Sequence, residues 1–222
     1  MKKNFPALLL AILAVLTVIS RINAYDIQVW WTEFSSMAIL VTILVLTYKK
    51  FRFSNTSYFI LFLWCVLQII GAHYTFERVP FGAVTSFFGF ERNHYDRLAH
   101  FMVGCGGFAV CELVYRKKWV SSRGMSTFFG VIFIMALANF WELVEWIYAA
   151  VDGGSAGAAF LGSQGDIWDA QKDMLMDTLG ALLSGGLFYA IAPTNRHVSP
   201  KKVLKFLKNY RLKLSIWTLI AL

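Results

Sequence analysis

The sequence predicts an all-α, polytopic membrane protein, a bundle of about six transmembrane helices with both termini cytoplasmic. Three observations carry this reading. Hydrophobic residues make up 58% of the 222-residue chain and charged residues only 15%, where a soluble domain is about a quarter charged. The apolar residues gather into segments of up to about 20, the length that crosses a bilayer core. The basic residues fall mostly into alternate loops, the asymmetry that orients helices with positive loops inside. The chain is therefore expected to be a multi-pass protein of a plasma or inner membrane, with no room for a large soluble domain.

Each element follows from its own stretch. Lys2 and Lys3 precede a first apolar span, Phe5–Ser20. This segment could be a cleaved signal peptide, since Ala24 offers a small residue near a cleavage point. A retained first helix is preferred, because the remaining topology then needs no special case. The second span is Phe34–Tyr48, followed by Lys49, Lys50 and Arg52, and the third is Tyr58–Tyr74. A long loop with Pro80, Gly82 and Gly89 leads to the fourth span, Arg97–Tyr115, and then to Arg116, Lys117, Lys118 and Arg123. The fifth span is Thr127–Val151. A second long loop starts as a Gly/Ser-rich spacer and ends Gly-Ser-Gln-Gly-Asp-Ile-Trp-Asp before the sixth span, Met174–Pro193. Both long loops are expected to lack regular structure, and loops of that kind often carry function.

Residues 1–200 form a single transmembrane domain in this reading, and residues 201–222 a basic tail. In the tail, Lys205, Lys208 and Lys213 alternate with Leu204, Leu207, Leu212 and Leu214. That pattern suits an amphipathic helix on the anionic inner leaflet. Sixteen of the 21 Lys and Arg residues lie in the N-terminus, the two short loops and the tail, with no acid among them. The net charge of +8 thus reflects membrane orientation, and nucleic acid is not expected as a partner; membrane lipids are. Cys65, Cys105 and Cys111 fall inside apolar spans without zinc-type spacing and read as small buried hydrophobes.

The acidic residues mark the candidate site. Residues three and four apart share a helix face, which pairs Asp96 with His100 and Glu142 with Glu145. Asp169, Asp173 and Asp177 form a ladder into the sixth span, and Asp166 extends it if the helix starts early. His73 ends the third span. All of these ends lie on the outer side, so four helices could converge their polar faces at one depth. Ionisable groups cost of order 3 kcal/mol each in hydrocarbon by insertion scales, so a helix protein that keeps this many uses them. Taken singly, Asp96 could be an N-cap, Asp173 a favourable first-turn charge, and Glu142 and Glu145 partners of Arg97 and Lys172. Glu112, near the inner end of the fourth span, is expected to pair with Arg116 four residues on. Close contact between the fourth and sixth spans is expected through Gly104, Gly106 and Gly107 against Gly180, Gly185 and Gly186.

Several of these motifs are familiar. His73-Tyr74-Thr75, Tyr95-Asp96-Arg97-x-x-His100-Phe101, Trp141-Glu142-x-x-Glu145 and Gly165-Asp166-x-Trp168-Asp169-x-Gln171-x-Asp173-Met174-x-x-Asp177-x-x-Gly180 resemble the YjdF family of small bacterial inner-membrane proteins over most of residues 55–195. The resemblance implies a polytopic bacterial membrane protein and brings no activity with it. Asp96-Arg97-x-x-His100-Phe101 and Asp177-x-x-Gly180 are also similar to elements of VanZ-like proteins, although Ala181 stands where those commonly have Asn. That likeness points by analogy to envelope or lipid-linked glycan processes.

Two chemistries fit the residue types. A carboxylate-rich cluster with imidazole suits a divalent cation, which would offset repulsion and could activate water or a phosphoryl oxygen. Crowded carboxylates can instead relay protons as coupled groups. The leading expectation is a metal-dependent enzyme of the cell envelope, a hydrolase or transferase acting at the outer leaflet on a lipid or lipid-linked substrate. His73, Asp96, His100, Glu142, Glu145, Asp173 and Asp177 are its candidate ligands or acid/base groups, with Asp96, His100, Glu142 and Asp173 as the metal set. Asp166, Asp169, Gln171 and Arg97 are candidate substrate contacts. The alternatives are a proton- or cation-coupled transporter using the same carboxylates, and a non-catalytic envelope-resistance protein. A transporter should carry polar or broken helices along a whole pathway, often in repeated halves. The nearly pure apolar inner halves of the spans favour a one-sided site.

Overall fold

A computed structural model describes residues 4–152, 154, 161 and 163–192. The chain divides into Met1–Ala190 and Ile191–Leu222. Residues 193–222, including the tail expected to form an amphipathic helix, lie outside the described residues. The described regular structure is α-helical: α1 Phe5–Arg21, α2 Ile27–Thr47, α3 Asn55–Tyr74, α4 Gly82–Phe88, α5 Tyr95–Cys105, α6 Gly107–Arg116, α7 Arg123–Asp152 and α8 Asp169–Ile191. Five segments are long and apolar enough to cross a membrane, with α5 and α6 counted as one, and α1 is a shorter apolar helix.

Local chemistry explains where these boundaries fall. Helix α2 starts seven residues before the Phe34 expected from hydropathy, because Asp26 caps it. Its Oδ1 accepts the Gln28 and Val29 N–H groups at 2.8 and 3.1 Å, satisfying orphan donors of the first turn. The polar residues that hid this turn bond back into their own helix: the hydroxyls of Thr32, Ser35 and Ser36 donate to the carbonyls of Gln28, Thr32 and Glu33. Helix α3 is capped by Ser54, whose Oγ accepts the Ser57 N–H at 3.2 Å. The Glu112 carboxylate accepts Ser54 N–H and both the Ser54 and Ser57 hydroxyls. It also takes the expected ion pair with Arg116, so one buried acid locks α6 to the start of α3.

Three features depart from the sequence reading. The loop after α3 contains the seven-residue helix α4, closed by Gly89 at φ 66°. The fourth span is two helices, because the Gly106 N–H turns to the Val103 carbonyl at 2.8 Å instead of continuing the α ladder. The last span begins at Asp169, five residues before the expected Met174, so the acidic ladder is helical from Asp169 onward.

Packing brings the polar ends together. Helices α5 and α8 touch backbone to backbone: a Cβ on Gly104 would overlap the Asp177 carbonyl, and one on Gly180 would overlap the Phe101 carbonyl. Gly107 packs more loosely on Ser184 and Ala181, Gly185 meets Thr127 of α7, and Gly186 faces open space. Leu13, Met37, Cys65 and Ile69 join α1, α2 and α3. The three cysteines are free and buried. Large apolar side chains cover the exterior, with Leu46 74% and Val18 65% exposed, as suits a protein whose solvent is lipid.

Candidate functional site

The site lies at the end of the bundle formed by the start of α5 and the start of α8, away from the basic loops after α2 and α6. Helix α5 opens at Tyr95 with His94 in the N-cap position, and Asn93 just before it accepts the Tyr95 N–H on its Oδ1 at 2.9 Å. Asp96 therefore stands in the first turn and is not the cap. One turn on, His100 is buried. Its Nδ1 lies 2.9 Å from Asp177 Oδ2 and its Nε2 lies 3.7 Å from Asp96 Oδ1. One ligand atom each from Asp96, His100 and Asp173 lie within 4.8 Å of one another. The α5–α8 glycine contact sets these distances, since it lets the two helices approach at Gly104 and Gly180.

The arginine next to this group organises the acids around it. Arg97, buried, forms ion pairs with Asp173 and, at 2.6 Å, with Asp169 Oδ1. It also donates to the Asp169 carbonyl at 3.0 Å. Arg92 reaches the same Asp169 oxygen at 2.7 Å and the Ser163 carbonyl at 3.0 Å. Asp166 Oδ2 receives Lys172 at 2.6 Å, Arg97 at 3.3 Å and Arg92 at 3.4 Å. The Gln164 side-chain amide completes the junction on the Asn93 backbone, its Oε1 accepting the Asn93 N–H and its Nε2 donating to the Asn93 carbonyl, both at 3.1 Å. Residues 163–169 are thereby fastened over the start of α5. The Lys172 ammonium and the Trp168 N–H hold the Asp166 carboxyl below the ordinary carboxylate range.

Glu142 comes from α7. It is buried and, among the described residues, its Oε1 has no hydrogen-bond partner, and the same holds for Asp177 Oδ1. Beside Glu142 is a cavity of about 320 Å³, lined also by Ser163, Asp166 and Asp169. Glu145 is half-buried, within electrostatic range of Glu142, His100 and Asp96.

A model of a family described as "Predicted membrane protein (DUF2238)" matches residues 5–194. The chain belongs to this family. It is 35% identical over 172 residues to the inner membrane protein YjdF of Escherichia coli (strain K12), covering 77% of this chain and 82% of that relative. No solved structure matches. The DUF2238 region contains every residue placed above, and the family likeness expected from the motifs around Asp96, Glu142 and Asp177 holds. The chain is an inner-membrane type of protein with several candidate transmembrane helices.

Within this frame the candidate residues separate. Asp96, His100, Asp173 and Asp177 meet directly, Glu142 and Glu145 approach from α7, and Asp166, Asp169 and Arg97 form the adjoining ionic junction. The pairing of Glu142 and Glu145 with Arg97 and Lys172 does not form; those bases go to Asp166, Asp169 and Asp173. His73 is engaged elsewhere, its Nδ1 2.7 Å from the Ser20 carbonyl, tying α3 to α1. Gln171 is exposed on the first turn of α8.

Sequence reasoning missed two parts of the site. Glu33 of α2 is buried, accepts a 2.9 Å hydrogen bond from Gln68 Nε2, and lies within electrostatic range of Asp96 and His100. Glu33 fell one residue before the expected second span and has no acidic or histidine partner at helical spacing, so it left no pattern; once α2 is extended to Ile27, its burial cost alone singles it out. Arg92, Asn93 and Gln164 were passed over as loop residues; their contacts are about seventy residues apart in the chain and have no local signature.

Proposed function

We propose that Asp96, His100 and Asp173 hold a divalent cation, and that this centre serves a metal-dependent reaction on a lipid or lipid-linked substrate of the cell envelope. The observation that carries the reading is the setting of His100. Its Nδ1 faces Asp177, which favours the tautomer that donates to that carboxylate and leaves the Nε2 lone pair toward Asp96. A lone pair and a carboxylate oxygen 3.7 Å apart repel unless a cation or a proton lies between them. A carboxylate behind a histidine is the usual outer partner of a metal-bound imidazole. Oxygen and nitrogen donors of this mix suit Mg, Mn, Fe or Zn.

Each neighbouring residue then has a role. Asp177 orients His100. Arg97 holds Asp173 through their ion pair. Glu142, with its unpartnered oxygen beside the cavity, is placed to complete the ligand set or to take a proton from water. A cation in such a site acts as a Lewis acid and lowers the pKa of bound water. With the basic loops after α2 and α6 on the cytoplasmic side, as the positive-inside rule favours, the cavity would open at the outer leaflet, within reach of a lipid headgroup.

Metal analysis of the full-length protein in mild detergent tests this. Near-stoichiometric divalent metal is expected in the wild type, lost on chelation together with thermal stability, and absent from Asp96→Ala. Glu142→Ala should bind more weakly or bind without supporting turnover. Metal-free protein whose melting ignores chelators defeats the reading. A proton on His100 would then account for its geometry, and proton-coupled transport would be the reading to pursue.

A further inference from the structure

A second site lies at the other end of the bundle and is independent of the carboxylate centre. Helices α1, α2 and α3 enclose an apolar groove of about 280 Å³. Its floor is Leu9, Leu13, Leu61 and Cys65, all buried, while Val41 and Leu44 form a wall. The mouth is at Pro6, Tyr48 and Tyr58, where the ends of the three helices meet. From Tyr48 back to Val41, and from Tyr58 to Cys65, is seven residues, about 10 Å of helix and a third of a hydrocarbon core of about 30 Å. The groove therefore runs from the interface into one leaflet. It is too small for a helix, whose diameter with side chains is about 10 Å.

The mouth is basic. Lys49 and Lys50 follow Tyr48 directly and are exposed. The Arg52 guanidinium lies 5.5 Å from the Tyr48 ring centre, and Arg116 and Lys117 lie 4.6 and 5.4 Å from that of the adjacent Phe51. The acid at this end, Glu112, is already taken by Arg116, Ser54 and Ser57. An apolar slot about ten ångströms deep under a cationic rim matches one ligand class. We propose that the groove binds one acyl chain of an anionic phospholipid, with its phosphate among Lys49, Lys50 and Arg52.

The full-length protein, reconstituted in nanodiscs of phosphatidylglycerol or phosphatidylcholine and then released for native mass spectrometry, provides the test. Wild type is expected to retain about one phosphatidylglycerol per chain and to melt higher in that lipid. Lys49→Gln with Lys50→Gln, both at exposed positions, should cut the preference over phosphatidylcholine by about tenfold, since each base near an anionic surface contributes several-fold. Val41→Trp, which fills the groove, should release both lipids from folded protein. If that variant does not fold, a phosphatidylglycerol with a photoreactive chain decides, and its cross-links should fall within residues 6–13, 41–48 and 58–65, which line the groove. Equal retention of the two lipids by wild type, unchanged retention in folded Val41→Trp, cross-links elsewhere, or a dimer sealed through Leu44 would each overturn the proposal.

Discussion

His100 sits between two carboxylates and uses them differently. Asp177 is at hydrogen-bond distance and Asp96 is not. Removing the charge behind the imidazole while keeping an acceptor, by Asp177→Asn, should lower metal affinity about 10- to 100-fold, as loss of an outer-shell partner typically does. Competition with a chromogenic chelator measures it, and unchanged affinity would mean that His100 is not a ligand. The junction beside it answers to pH with a defined sign. Asp166 has its folded pKa depressed by Lys172 and the Trp168 N–H. Its contribution is complete above the ordinary carboxylate pKa of about 4 and is lost as pH falls through the lower, folded value. The 163–169 segment should therefore stay closed at pH 5 and open only in stronger acid. Asp166→Asn should open it at neutral pH. Protease nicking near Gly165 reads both, and equal nicking of mutant and wild type at pH 7 would show that the ion pairs do not hold the segment.

Helices α5 and α8 carry the site because they touch at Gly104 and Gly180. Gly104→Val puts a side chain into the Asp177 carbonyl, and overpacking of this kind costs about 1–3 kcal/mol. It should lower the melting temperature and separate His100 from Asp177, with loss of metal. Gly186→Ala on the same helix meets nothing within 4 Å and should melt like wild type or slightly above it. Matching behaviour of the two variants would rule out the close α5–α8 contact. This contact was legible in the sequence, as were the pairs Asp96/His100 and Asp173/Asp177, because helical spacing fixes which side chains share a face. What spacing cannot fix is which distant face they meet. Glu33 and Gln68 come together across α2 and α3, and Gln164 meets Asn93, through tertiary packing alone. Hydropathy also misplaced the start of α2, because Thr32, Glu33, Ser35 and Ser36 lower the average while satisfying their hydrogen bonds inside the protein. The break at Gly106 was equally hidden, since a glycine in an apolar span reads the same whether it packs or bends.

At the scale of the whole molecule, the exterior and interior are both apolar, so lipid offers no hydrophobic drive for the helices to associate. Cohesion comes from close packing and from polar groups that lipid cannot satisfy: Glu112 with Ser54 and Arg116 at one end, and the Arg97 and His100 networks at the other. These two ends differ in charge, which is the basis of the topology. Basic loops follow α2 and α6, whereas the acids cluster at the opposite end. Whether both termini share the basic side depends on parity, and parity depends on α1. At 17 residues it spans about 26 Å, just short of a core of about 30 Å. Its first turn follows Lys2 and Lys3, and Arg21 ends it. If α1 crosses, there are six spans, and reporter fusions at Met1 and Leu222 should both be cytoplasmic, with a fusion in residues 153–160 outside. If α1 lies along the surface or is cleaved, five spans remain and the termini cannot agree. An external Leu222 would be the graver result. It would put the His100 centre on the cytoplasmic side and remove the outer-leaflet substrate from the proposed function, while leaving the metal site itself to stand on its own measurement.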